Sequence, residues 1–355
     1  MRRALGPITD LVAIIAAVLA MTSTTPLGGW MTAQARHALG RPEQKQGLAR
    51  WFNTGQKPIT DANEVAVRLD VVAQPPREDT PESQVAARVG LRRALARGVL
   101  VMAAEGRADA AGHLDVTIPA SADHALAEAG LSRPPPGSSD DVEAAILIET
   151  VARLVPKLGS ETAAVAALAS SPVAVRGAIG RARALDVEDP TSWDGFGHYL
   201  PASQRRSAAP FVRGAMALAT AYELGSPLER IARVSSPFGN RVHPVLGSTR
   251  MHTGVDLPVV TGTSILAVGP GVVTHAGEDS VNGKFIRIDH GHGLTSAYCH
   301  ASELLIAKHD RVTPAAVIAR SGNTGRSTGP HLHFQLEIDR VPVDPSLFLE
   351  ALSKR

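Results

Sequence analysis

"SGNTGRSTGPHLHFQLEI", residues 321–338, sets three glycines and a proline directly before two histidines separated by one leucine, then runs on as apolar, strand-like sequence. Successive side chains of a strand face opposite sides of a sheet, so His331 and His333 project to one side and Leu332 to the other. Pro330 restricts Gly329 to extended backbone and stiffens the entry. The two imidazoles then sit roughly 7 Å apart by strand rise, a separation at which one can hold a metal while the other reaches a substrate bound to it. A lone His-x-His pair is equally well a Gly-rich turn feeding an ordinary buried strand, so the rest of the chain has to decide.

Nine of the thirteen histidines follow Gly225, a concentration that directs attention to geometry. In "MHTGVDLP", residues 251–258, an extended backbone puts His252, Gly254 and Asp256 on one face, and the middle position has no side chain to obstruct an ion. His252, Asp256 and one of the two strand histidines would make three ligands with a fourth position open to water, the pattern of catalytic rather than structural zinc. Taken alone, His252 and Asp256 read as a surface ion pair. A third stretch, "LTSAYCHAS" at 294–302, ends its strand at His300. A zinc hydrolase needs an acid or base beside the metal-bound water, and no HExxH helix is present to supply a glutamate.

The organisation of the chain bears on the same question. At 355 residues, 44% hydrophobic and 20% charged, it is long enough for two globular domains and a leader. A net charge of +2 leaves no polybasic footprint, which argues against nucleic acid as a partner. The single cysteine, Cys299, forms no internal disulfide and does not report on compartment. Residues 1–35 carry two early arginines and an apolar run from Leu11 to Met21, the layout of a secretory signal. That run is too short for a comfortable membrane span. Asp10 at its front and a late small-x-small site at Ala33-Gln34-Ala35 leave a retained anchor, or a plain helix, as alternatives.

Residues 36–84 read as linker, ending in Pro- and charge-rich "AQPPREDTPESQ". Residues 85–226 are rich in Ala, Leu and Arg with helical spacing and predict a small helical domain, broken at "LSRPPPGSSDD", where prolines end one helix and Ser or Asp can cap the next. Residues 227–355 turn to short Val/Ile-rich runs, "SILAVG", "GVVTHAG", "KFIRIDHG", "LTSAYCH", "AVIARSG" and "HLHFQLEID", the rhythm of an antiparallel sheet. The predicted class is α+β, with the helices first and the sheet last.

Within that last part, "SSPFGNRVHPVLG", "RMHTGVDLPVVTGTSILAVGPGVV", "NGKFIRIDHGHG", "YCH" and "GNTGRSTGPHLHF" occur in order between about residues 235 and 348. Together they resemble the M23 family of zinc metallopeptidases, the lysostaphin or LytM type, which cut peptide cross-links in bacterial peptidoglycan. The resemblance implies that His252, Asp256 and His333 are the zinc ligands and that His300 and His331 flank the bound water and the oxyanion. The Arg241-Val242-His243-Pro244 stretch resembles the form typical of Gram-negative cross-link endopeptidases, which implies that Arg241 or His243 lines the substrate groove. It further implies D-Ala to meso-diaminopimelate cross-links as substrate, while the N-terminal segment is what points to export to the periplasm or cell envelope. The family usually has glycine where this chain has Ala315 and Ala319, a change costing on the order of 1 kcal/mol wherever the turn needs positive φ.

Cys299 beside His300 invites a thiol-protease reading, which alternation along the strand argues against by turning Cys299 inward and His300 to the groove. His275, His290, His292 and His309 are expected to be surface or packing residues. The helical segment faintly resembles the C-terminal helices of lytic transglycosylase-like domains without a matching catalytic glutamate, Glu149-Thr150 lying too close to the resembling stretch. A non-catalytic module or an unrelated spacer fits it. Against the enzyme stands an M23-fold regulator or scaffold that activates another wall hydrolase without cutting; such proteins typically lose metal ligands, and all three are present here. A cytoplasmic β domain without chemistry would need both the N-terminal run and the histidine cluster to be accidental.

Overall fold

The computed structural model describes residue 76 and residues 78–349, apart from 106, 109–112, 232 and 243–248. The N-terminal segment read as signal or anchor lies outside the described residues. Among the described residues no helix is long and apolar enough to cross a membrane.

Helices come first. α1 (Pro81–Val89) starts inside the stretch read as linker, because Pro81 suits the first helical position and the Thr80 hydroxyl accepts the Ser83 N–H at 3.4 Å. The long helical run that follows is divided at Gly90, whose φ of +70° ends α1 in a left-handed cap before α2 (Arg93–Ala103). α3 (Asp123–Ala129) precedes the three prolines, and α4 (Asp140–Leu158) follows them. Ser139 occupies the N-cap position of α4, but its side chain makes no capping bond. Asp140, Asp141 and Glu143 meet the positive end of the helix dipole instead, and Glu143 also accepts the Ile118 N–H at 2.7 Å.

α5 (Glu161–Ala169) is apolar on every side, and each residue after Glu161 is buried. A helix without a polar face belongs at the centre, and α4, α6 (Pro172–Ala184) and α8 (Ala202–Ala221) pack around it, with the single turn α7 (Trp193–Phe196) lying between α6 and α8 in the chain. Glu149 lies on α4 and pairs with Arg153 one turn on at 2.5 Å.

Eleven strands follow: β1 (Gly239–Val242), β2 (Thr249–His252), β3 (Val255–Pro258), β4 (Ser264–Leu266), β5 (Gly271–Asp279), β6 (Gly283–Asp289), β7 (Leu294–Leu304), β8 (Arg311–Val312), β9 (Val317–Ser321), β10 (His331–Ile338) and β11 (Val341–Val343). β1 and β2 form a hairpin pair, and the other nine strands form one antiparallel sheet with the path β11-β10-β7-β6-β5-β8. β3 pairs with the first half of β10, and β9 joins β4 to β7. Leu332, Phe334, Leu336 and Ile338 of β10 are buried with Tyr298 of β7 and Ile286 and Ile288 of β6, so one face of the sheet is core. The Tyr298 hydroxyl is satisfied inside it, accepting the Val268 N–H at 3.0 Å.

The helices meet the sheet at the far end of β10. Arg213 of α8 pairs with Asp339, just past the last residue of β10, and Tyr222 packs its ring on Phe348 at 5.5 Å. Burial foremost raises the Asp339 pKa, opposed by Arg213. His331 and His333 begin that strand, about seven residue steps or roughly 23 Å from the contact by strand rise.

Of the two alanines standing where glycine was expected, Ala319 lies on β9 in the core, opposite Ile265, and needs no unusual backbone. Ala315 does. Thr313 O accepts the Ala316 N–H at 3.2 Å, Pro314 sits at the second position of the turn and Ala315 at the third with φ +61°, the arrangement of a type II turn that favours glycine. Ala315→Gly should therefore raise stability by about 0.5–1 kcal/mol, a net gain after the added freedom of the unfolded chain. Chemical denaturation of the two proteins measures it, and a lower midpoint for the glycine variant would contradict the strain argument.

Candidate metal centre

Strand register builds the site. His333 lies opposite Asp256 on one side and opposite Cys299 on the other, so β10 carries His333 between β3 and β7. His252 ends β2, and Thr253 with Gly254 forms the link to β3. That link runs so close to β10 that a Cβ on Gly254 would collide with the Phe334 carbonyl and come within 3.0 Å of the His333 ring. The gap in the His252, Gly254, Asp256 face is thus filled by His333.

Three atoms converge there. His252 Nε2 lies 3.1 Å from Asp256 Oδ1 and 3.1 Å from His333 Nδ1, and the last two are 2.9 Å apart. His252 Nδ1 lies 2.7 Å from the Pro237 carbonyl oxygen. A carbonyl only accepts, so Nδ1 carries the proton and Nε2 turns a lone pair toward a carboxylate oxygen and a second imidazole nitrogen. Of the three facing atoms only His333 Nδ1 can bring a proton to these contacts, and a carboxylate with two imidazole nitrogens so placed suits a cation. The edges of a tetrahedron with metal–ligand bonds of about 2.0–2.1 Å are about 3.3 Å long, within a few tenths of the separations found. Among the described residues this is the group of three His, Cys, Asp or Glu side chains placed to hold a metal ion. Burial alone would raise the Asp256 pKa, but the neighbouring His252 and His333 rings outweigh it and hold the carboxyl well below the usual range, so it stands as a carboxylate.

His331 and His300 stand beside this trio. His331 Nε2 is 3.6 Å from Asp256 Oδ1, and its Nδ1 lies 2.8 Å from the Gly329 carbonyl oxygen and 3.1 Å from Ser327 Oγ. The His300 ring is centred 4.7 Å from that of His331, and its Nδ1 lies 2.8 Å from the Thr324 carbonyl oxygen. In each ring the backbone acceptor fixes the proton on Nδ1, so Nε2 is the lone-pair nitrogen of the neutral imidazole. Burial foremost lowers the His300 pKa, with the charges of His331 and His333 adding to it and the Thr324 bond opposing, which favours the neutral ring.

His300 does not arrive by strand alternation. Opposite β6, Ile286 pairs with Tyr298 but Lys284 pairs with Ala301, so Cys299 and His300 together face one residue. That extra residue is a β-bulge, and His300 takes φ +65° within it. Bulges re-aim side chains, and this one brings His300 beside His331. It also corrects the expected place of Cys299. Directly opposed residues share a face, so Cys299 lies on the side of His333 rather than turning inward. It is nonetheless buried, its Sγ 3.7 Å from Asn282 Oδ1, and burial pushes the thiol up to about 12. A thiol so hard to ionise is a poor nucleophile, and the thiol-protease reading fails for this reason instead.

Of the expected groove residues, Arg241 lies on β1 opposite Arg250, with its side chain outside the description, and His243 falls outside the described residues. His290 bridges the Pro270 carbonyl and Ser296 Oγ, and His275 stacks on Phe285 with centroids 4.2 Å apart. The carbonyl acceptors of Pro237, Thr324 and Gly329 were not foreseen. They belong to the backbone, and residue types alone give no sign of them.

Residues 250–345 match the profile of Peptidase family M23. The chain is 42% identical over 113 residues to a DD-carboxypeptidase/endopeptidase, Mpg, of Neisseria meningitidis, covering 32% of this chain and 26% of that protein. To the peptidoglycan DD-endopeptidase ShyC of Vibrio cholerae it is 37% identical over 123 residues, covering 34% and 28%. A solved zinc-containing peptidase from Vibrio cholerae is 33% identical with a TM-score of 0.33, over 34% of this chain and 37% of that one. The chain thus spans about a quarter of the length of the curated relatives it matches. The matched segment holds all five residues gathered at the centre, and residues 250–345 are an M23 peptidase domain.

Proposed function

We propose that the chain is a zinc-dependent endopeptidase hydrolysing peptide cross-links of bacterial peptidoglycan, with D-Ala to meso-diaminopimelate as the bond cut. The observation that carries the reading is the convergence of His252 Nε2, Asp256 Oδ1 and His333 Nδ1, with two further imidazoles beside them. Peptidoglycan lies beyond the cytoplasmic membrane, so the reading also places the protein in the periplasm or cell envelope. Residues 1–35 would supply the export signal.

His252, Asp256 and His333 would hold the ion. When bound, zinc lowers the pKa of water and polarises a carbonyl. The remaining steps belong to side chains. His300 and His331 are each anchored through Nδ1, so each keeps Nε2 able to accept a proton from the attacking water and to return it to the leaving amine. Their backbone acceptors fix both tautomer and ring orientation, so neither imidazole has to reorganise during proton transfer.

Ligands and proton-transfer groups separate by mutation. Elemental analysis of the purified chain should give one zinc, lost in His252→Ala, Asp256→Ala and His333→Ala, while His331→Ala keeps its zinc and loses about 10²–10⁴-fold in turnover. Equal metal loss from His331→Ala and His333→Ala would mean that the roles of the pair are wrongly divided.

The bond is argued from groove chemistry. Relatives are named peptidoglycan DD-endopeptidases, and a cross-link to diaminopimelate carries a free carboxylate beside its peptide bond. Arg241 would hold that carboxylate by a bidentate contact that a lysine cannot reproduce. Arg241→Lys should lower kcat/KM on cross-linked muropeptide dimers about tenfold, a loss of about 1.4 kcal/mol, with zinc fully bound. Mass spectrometry of digested sacculi reads the bond: monomers from 4→3 linked dimers are expected, and cleavage of glycine bridges with those dimers intact would refute the assignment.

A further inference from the structure

The face of β10 that presents His331 and His333 continues with Gln335 and Glu337. These two begin a row of hydrogen bonds that leads back to the ligand loop. Arg287 Nη1 of β6 donates to Glu337 Oε2 at 2.6 Å, reaching diagonally across β7, where its direct neighbour is only Ala297. Gln335 Nε2 donates to Glu337 Oε1 at 2.5 Å, and Gln335 Oε1 accepts the Thr253 hydroxyl at 2.8 Å. Thr253 is the residue after His252, in the two-residue link that spaces His252 from Asp256.

Each direction in this row is forced by the one before it. A carboxylate accepts and cannot donate, so Glu337 beside the Arg287 guanidinium compels the Gln335 amide to turn its nitrogen toward it. The amide oxygen is then committed to Thr253, whose hydroxyl must donate. Glu337 is only 8% exposed, so water competes poorly for these bonds. On its other side the link is held by the close approach of Gly254 to the His333 ring. The loop is clamped from both sides.

We infer that Gln335, oriented by Glu337 and Arg287, is a positioning residue that holds Thr253 and thereby fixes His252 and Asp256 at metal-binding separation. The inference rests on the metal reading of the centre proposed above. Outer partners that orient metal ligands typically contribute about 10–100-fold in affinity. Thr253→Val, which keeps the shape and removes the donor, and Gln335→Met, which keeps the length and removes both polar atoms, should each weaken zinc binding by that factor. Thr253→Ser, which keeps the hydroxyl, should restore it.

The test measures zinc dissociation constants of the full chain by competition with a chromophoric chelator. It also compares the visible spectra of the cobalt-substituted proteins, which report ligand geometry, and the urea midpoints of the metal-free proteins, which report folding. Weaker zinc binding and an altered cobalt spectrum in Thr253→Val, with wild-type values in Thr253→Ser and an unchanged metal-free midpoint, are expected. Should Gln335→Met not fold, Thr253→Val and Thr253→Ser decide alone. Wild-type affinity in Thr253→Val, or equal loss in the valine and serine variants, overturns the positioning role and leaves the metal reading intact. A folded wild-type chain that binds no zinc overturns both.

Discussion

The pairing of β10 with β3 is the constraint on which the rest of the centre depends. Asp256 stands directly opposite His333 in that register, and a slip of one residue in β10 would turn His333 to the core face, away from Asp256. Four buried apolar residues on β10, Leu332, Phe334, Leu336 and Ile338, prevent the slip. Exposing them would cost about 1.5–3 kcal/mol each. The same burial that stabilises the sheet therefore sets the separation of the would-be ligands, and no affinity for an ion is needed to assemble them.

Assembly has an electrostatic cost that the backbone helps to manage. A half-buried carboxylate and two imidazoles crowd their polar atoms within about 3 Å, and three backbone carbonyls decide where the protons of three histidines go. Pro237, Thr324 and Gly329 each take the Nδ1 proton of one histidine. Two of these carbonyls come from the Gly-rich loop ahead of β10. The loop has to wander back toward the histidines rather than feed straight into the strand, which gives a physical reason for glycine and proline in a stretch that leads to the site.

The helical part attaches where the site is not. Arg213 pairs with Asp339 at the end of β10 remote from His331, and Tyr222 packs on Phe348, so the contacts stabilising that seam and those shaping the centre draw on different residues. α5 is buried on every side among the other helices.

The sequence by itself determined the class, helices followed by an antiparallel sheet, because hydrophobic period and turn residues are local signals. It also pointed to His252, Asp256, His300, His331 and His333, since motif spacing survives in the linear chain. Three things needed the tertiary structure. Alternation put Cys299 inward, whereas a bulge opposite Phe285 keeps it on the side of His333 and turns His300 to the centre; a bulge arises from pairing with another strand and leaves no trace in the strand's own residues. Of two alanines in glycine positions only Ala315 proved strained, because sequence names a residue but not its φ. The orientation of Gln335 is decided by Arg287, 48 positions earlier in the chain. Hydrogen-bond direction is set by which partners folding brings together, and spacing along the chain carries no record of them.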